Sequence, residues 1–133
     1  MKIKYAKEGV FIPEWKDNRD LEVNEQIKIN FEYVSSEIRG KYIGRKEISR
    51  TSYMELATTN DVPFEIVQDG KGLASECVKS IDNLTLIDPD GKEEKIITWD
   101  QLVKAHDSMG LSNLVAEISN YFVFLFTGLD SKN

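Results

Sequence analysis

Four groups of side chains have types and spacing that invite chemistry. Asp88-Pro89-Asp90-Gly91 followed by Glu93 and Glu94 gathers four carboxylates within seven residues, a donor set of the calcium-loop kind. An EF-hand loop needs oxygen ligands at alternate positions, a closing glutamate and a helix on each side. Here extended segments flank the acids, so they read as a solvated hairpin turn. Asp69-Gly70-Lys71-Gly72 precedes a helical pattern and hints at phosphate on a helix N-terminus. The Gly-x-x-x-x-Gly-Lys-Ser/Thr spacing is missing, and a turn with helix entry is the better reading. Cys77 falls on an apolar stripe with no His or Cys beside it to lower its pKa, which predicts a small buried side chain. His106 and Asp107 have the types of a base dyad. No motif places a serine or cysteine for them to activate, so His106 reads as a surface group near a helix end. No catalytic residue, metal ligand or cofactor is expected.

Two further patterns suit binding better than catalysis. Arg39, Lys41, Arg45, Lys46 and Arg50 stand against Glu37 and Glu47, a local charge of +3, with Tyr42 and Tyr53 nearby. Such a segment fits an RNA- or phosphate-binding loop, a docking arm for an acidic partner, or a solvated loop. The second pattern is Tyr121, Phe122, Val123, Phe124, Leu125 and Phe126, apolar on nearly every side of a helix. A helix of that kind is buried on several faces. It is either a central core helix or one that also covers another protein.

The elements that must position these groups fit a single domain. The chain has 133 residues, 41% hydrophobic and 30% charged, with a net charge of −6, as an ordinary globular protein has. One cysteine excludes an internal disulfide and one histidine excludes a His-rich metal site. The acidic balance argues against a dedicated nucleic-acid binder. It is uneven: residues 1–66 hold 11 basic and 12 acidic groups, residues 67–133 hold 6 and 11, which suits head-to-tail association or docking on a like-patterned partner. Met1–Lys7 has lysines without a following apolar stretch, so no signal peptide is expected. The run Phe122–Phe126 is too short to span a membrane, so no membrane partner is expected. Without a secretory context, Asn83-Leu84-Thr85 reads as a strand entrance and the chain as intracellular.

Residues 2–12 predict short extended segments, and Pro13 to Asn24 a turn-rich stretch anchored by Trp15. From Glu25 to Tyr33 the alternation of Ile27, Ile29, Phe31 and Tyr33 with polar residues predicts a half-buried strand. Residues 35–60 read as a long excursion or an irregular hairpin, hence a flexible arm. Val62–Val67 adds a strand that Pro63 confines to an edge or its first residues. Leu73, Ala74, Cys77, Val78 and Ile81 have the spacing of one helical stripe. Leu84–Ile87, the Asp88–Gly91 turn and Lys95–Trp99 predict a β-hairpin over 84–98. Thr98-Trp99-Asp100-Gln101 has capping-box form and starts a short helix near 99, with Asp100 as the alternative N-cap. Leu111 to Leu129 predicts a final helix of four or five turns ended by Gly128.

Certain segments also resemble a known family. Phe11-Ile12-Pro13-Glu14-Trp15-Lys16-Asp17-Asn18 followed by Glu25-Gln26-Ile27 is similar to the opening of small proteins from tailed-bacteriophage morphogenesis clusters. Cys77–Leu84, Thr98-Trp99-Asp100-Gln101-Leu102, Leu114-Val115-x-Glu117-Ile118 and the closing Lys132-Asn133 are similar to their second half. The chain thus resembles phage tail assembly chaperones and related tail-cluster proteins over about two thirds of its length. The resemblance implies binding to a tape-measure or tail-tube protein, no cofactor, and a place in the host cytoplasm or the virion.

The expectation is therefore a single α+β domain over 1–133, with a small antiparallel sheet, a hairpin at 84–98 and C-terminal helices on one face. Its leading function is a non-enzymatic tail assembly chaperone that binds phage tail proteins and forms a possible homo-oligomer. Tyr121, Phe122, Phe124, Leu125 and Phe126 would supply apolar contact, and Arg39, Lys41, Arg45 and Lys46 steering. The alternatives are a structural virion subunit, such as a head–tail connector or tail-completion protein, and a nucleic-acid adaptor using residues 39–50.

Overall fold

The alternating segment forms β2, Lys28–Glu32, with Ile29 and Phe31 turned into the core. The computed structural model describes residues 1–47 and 64–128, with backbone alone at 45–47, 64–67 and 106–109. β1, Glu8–Phe11, pairs antiparallel with one edge of β2. β5, Val78–Asp82, pairs antiparallel with the other. The main sheet therefore has the order β1-β2-β5. Two antiparallel ribbons accompany it: β3, Ile43–Glu47, with β4, Phe64–Gln68, and β6, Thr85–Ile87, with β7, Glu93–Lys95.

A 3-10 segment, Trp15–Asp20, and four α-helices complete the described chain: α1, Ser36–Arg39; α2, Gly70–Cys77; α3, Trp99–Met109; and α4, Ser112–Thr127. This is a small mixed α+β fold with antiparallel sheets and C-terminal helices packed on the sheet. Leu114, Val115, Ile118 and Phe122 form the buried stripe of α4, with Leu111 buried just before its first turn, the three-and-four spacing that the sequence shows. Phe122 meets Phe31 of β2 edge-on, with ring centroids 5.1 Å apart. Each such apolar side chain contributes roughly 1.5–3 kcal/mol by leaving water. Helix α2 lies close against α4 because Gly70 has no side chain. A Cβ there would run into the carbonyl oxygen of Ser119, which is backbone and cannot swing aside.

Several local signals act as their chemistry predicts. Asp88 closes the hairpin turn by accepting from the N–H groups of Asp90 and Lys92 at 2.9 and 2.8 Å, and Gly91 takes a φ of +85°. Gln101 accepts from the N–H groups of Ile97 and Thr98, while its own N–H donates to the Thr98 hydroxyl at 3.2 Å. Thr98 is therefore the cap that starts α3. Gly128 ends α4 in the left-handed region, with its N–H donating to the Phe124 carbonyl.

One expectation needs correction. The helix carrying Leu73, Ala74 and Cys77 stops at Cys77, and Val78 to Ile81 is strand β5 rather than more helix. Residues 35–47, read as the start of a long excursion or an irregular hairpin, form α1 and β3, and β3 pairs antiparallel with β4. Residues 48–63 and 129–133 lie outside the described residues, and with them Arg50, Tyr53, Pro63 and Lys132-Asn133.

Candidate functional site

Beyond its buried stripe, α4 carries a second row: Glu117, Asn120, Tyr121 and Phe124, spaced as one helical face. This row forms one wall of a groove of about 770 Å³. Val10, Phe11 and Ile12 of β1 and the residue after it form the other wall, with Glu14, Arg19 and Gln26 at the end. Among the described residues β1 is an edge strand, so the sheet stops there while α4 continues past it. The Tyr33 N–H donates to the Lys7 carbonyl, which sets the alternation of the pair. Lys7, Gly9 and Phe11 thus bond toward β2, and Glu8 and Val10 turn their backbone groups outward, those of Val10 into the groove.

The groove is aromatic and partly open. The Phe11 and Tyr121 rings stack at 3.9 Å with an interplanar angle of 10°. Val10 is 54% and Phe124 39% exposed. Burial, with a smaller contribution from Tyr33, holds the Tyr121 phenol above its usual pKa, so it stays neutral in ordinary buffers.

A polar frame fixes the groove's end. The Glu117 carboxylate accepts from the backbone N–H groups of Glu14 at 2.6 Å and Trp15 at 3.0 Å. Both of its oxygens are engaged in holding the loop. Buried Asn18 donates to the carbonyls of Pro13 and Ile27 at 2.9 and 3.1 Å and accepts from the Ile27 N–H at 2.7 Å. Gln26 donates to the carbonyls of Arg19 and Leu21, and Asn83 donates to those of Asn24 and Gln26. These bonds retain Lys16 and Asp17 in left-handed backbone, φ 49° and 57°, which costs an L-residue about 1 kcal/mol or more each. Arg19 adds a bond to the Ile12 carbonyl and an ion pair with Glu14 at 2.7 Å.

The side chains singled out for partner contact fall in different places. Phe124 faces the groove and Tyr121 lines it half-buried. Phe122 is fully buried in the core, because its position on α4 is one turn after Ile118 on the inner stripe. Leu125 and Phe126 are half-buried against the core. The Arg39 guanidinium lies over the Phe126 ring at 5.2 Å, and Tyr33 meets the same ring edge-on. Two separate expectations, the basic segment and the aromatic helix, thus meet at this contact. Lys41 is exposed. Arg45 and Lys46 sit on β3 opposite Ile66 and Glu65, and their side chains lie outside the described residues.

The groups first considered for catalysis have ordinary surroundings. Cys77 is buried, and burial above all, with the charge of Glu76, pushes its thiol up to about 11. Asp69 caps α2 itself by accepting from the Gly72 N–H at 2.9 Å, so a side chain of the chain holds the spot a phosphate would take. The Tyr42 hydroxyl donates to Glu76 at 2.9 Å, and this bond chiefly raises its pKa. The side chains of His106 and Asp107 lie outside the described residues. Among the described residues no three metal-ligating side chains gather, and no helix is long and apolar enough to cross a membrane.

Sequence reasoning missed the groove because half of it is strand edge. The available signal was the row Glu117, Asn120, Tyr121 and Phe124, offset from the stripe that fills the core. The site and fold together define a small α+β protein with an aromatic groove at a free strand edge. Compared with family models, with curated proteins and with solved structures, the chain gives no match.

Proposed function

We propose that this chain is a non-enzymatic assembly protein that binds an apolar segment of another protein in the groove between β1 and α4. The groove carries the reading. It offers the outward backbone groups of Val10 beside the rings of Phe11, Tyr121 and Phe124. Strand addition of this kind takes affinity from the backbone and selectivity from the pockets for alternate side chains. Reaction chemistry has little support there, since both Glu117 oxygens hold the backbone of Glu14 and Trp15.

The partners we propose are bacteriophage tail proteins, with the chain acting as a tail assembly chaperone. That part rests on the resemblance of Phe11–Asn18, Glu25-Gln26-Ile27 and Leu114–Ile118 to tail-cluster proteins. Those segments touch one another, through Glu117 with Glu14 and Trp15 and through Asn18 with Ile27. The resembling residues thus build and frame one structure.

The test is co-expression with the tail-tube and tape-measure proteins of the same gene cluster, followed by pull-down. Wild type should recover one of them, and Phe124→Glu should lose it. Recovery of neither by wild type overturns the chaperone reading. A stable ring in light scattering would favour a connector or tail-completion subunit instead.

A further inference from the structure

Residues 1–6 lie outside every helix and strand and are exposed throughout. Ile3 and Tyr5 are each 77% exposed, and they alternate with Lys2 and Lys4. That period of two, apolar against cationic, is the pattern of a strand half-buried against something. Among the described residues nothing covers it. The groove meanwhile has the complementary form: a strand edge unpaired among the described residues, beside an apolar wall of Phe11, Tyr121 and Phe124. On the opposite face of β1 the exposed Glu8 carboxylate offers a charge for the lysines.

We propose that the groove receives residues 1–6 of a second copy of this chain, added as a fourth strand on the outer edge of β1. Ile3 and Tyr5 of the incoming segment face Phe11, Tyr121 and Phe124. Lys2 and Lys4 then fall on the opposite face, on the side of Glu8. The segment cannot bring both Ile3 and Tyr5 to its own groove. Its neighbour Lys7 is bonded to Tyr33, and Tyr5, Ala6 and Lys7 border a hollow with Glu32 and Tyr33 at the far end of β1. A reversal there needs a turn of about two residues, which takes Tyr5 and Ala6 out of any pairing. The inference goes beyond the client reading and stands whether or not a tail protein binds.

Sedimentation velocity of the purified full chain over a range of concentrations tests it. Wild type should associate reversibly, and added salt should weaken the association through Lys2 and Lys4. The double variant Ile3→Asp, Tyr5→Asp lies outside the folded elements and should weaken association by at least about tenfold, as should Phe124→Glu in the groove. Circular dichroism checks that each remains folded. Mixing the two variants should restore a complex, because one supplies an intact segment and the other an intact groove. A wild-type chain that stays monomeric up to about 1 mM overturns the proposal. So does association that survives the Ile3 and Tyr5 changes, or a mixture that fails to recover. The experiment contains no tail protein, so its failure is distinct from failure of the pull-down.

Discussion

Removing the Glu117 carboxylate tests the logic of the groove most directly. Its two oxygens accept from the N–H groups of Glu14 and Trp15, at a separation of 103 and 102 residues along the chain. Hydrogen bonds to a charged acceptor contribute about 1.5–3 kcal/mol each, and partial exposure brings these nearer to about 1 kcal/mol. Glu117→Ala loses both bonds and should cost about 2–3 kcal/mol. Glu117→Gln retains one acceptor oxygen and should cost about 1 kcal/mol. At about 3 °C of melting temperature per kcal/mol in a domain of this size, the alanine variant should melt about 6–9 °C lower. Calorimetry and urea titration read this, with the urea slope unchanged if the denatured state is unaffected. Asn120→Ala, exposed on the same row, is the control and should stay within about 0.5 kcal/mol of wild type. If both Glu117 variants also fall within that margin, the carboxylate does not hold the loop and the reasoning fails.

Gly70→Ala places a methyl group against the Ser119 carbonyl, which forces α2 and α4 apart; it should cost about 1–3 kcal/mol or more by urea titration, whereas Gly91→Ala, open around its Cβ and strained only by φ, should cost less. The Cys77 thiol is raised from 9.0 to about 11 in the folded protein. The unfolded chain therefore ionises first, so the stabilisation is complete below about pH 9 and is lost as pH rises toward 11, at up to about 1.4 kcal/mol per pH unit. Urea titrations at several pH values should show a steeper alkaline decline for wild type than for Cys77→Ala; equal declines would refute the burial argument.

How far the sequence discloses this fold depends on how local each signal is. The turn at Asp88–Gly91, the Thr98–Gln101 box and the end of α4 at Gly128 are each settled within a few residues, and each appears as read. The strand β5 is not local. Its partner β2 pairs Phe31 with Val78 and Ile29 with Ile81, so Lys79 is an extra residue on one side. That bulge lets two core-side residues stand three apart on a strand, which imitates a helical spacing. Strand β3 carries no apolar alternation at all in Ile43-Gly44-Arg45-Lys46-Glu47, and only its pairing with β4 defines it. On α4 the run of rings was plain, but which ring faces inward is a matter of phase. Phe122 follows Leu114, Val115 and Ile118 into the core, and Phe124, two residues on, lies on the other side.

The long-range ties also impose an order on synthesis. β1 and β2 can pair early, but Phe11 and Phe31 then present bare aromatic faces. Their covers, Tyr121 and Phe122, emerge about a hundred residues later. During translation the nascent sheet is thus an uncovered, sticky intermediate with two free edges, and its aromatic face is covered only once α4 arrives. A protein whose own early half needs shielding has a built-in demand for rapid synthesis of its last helix, and rare-codon pauses before residue 111 should raise its aggregation in cells.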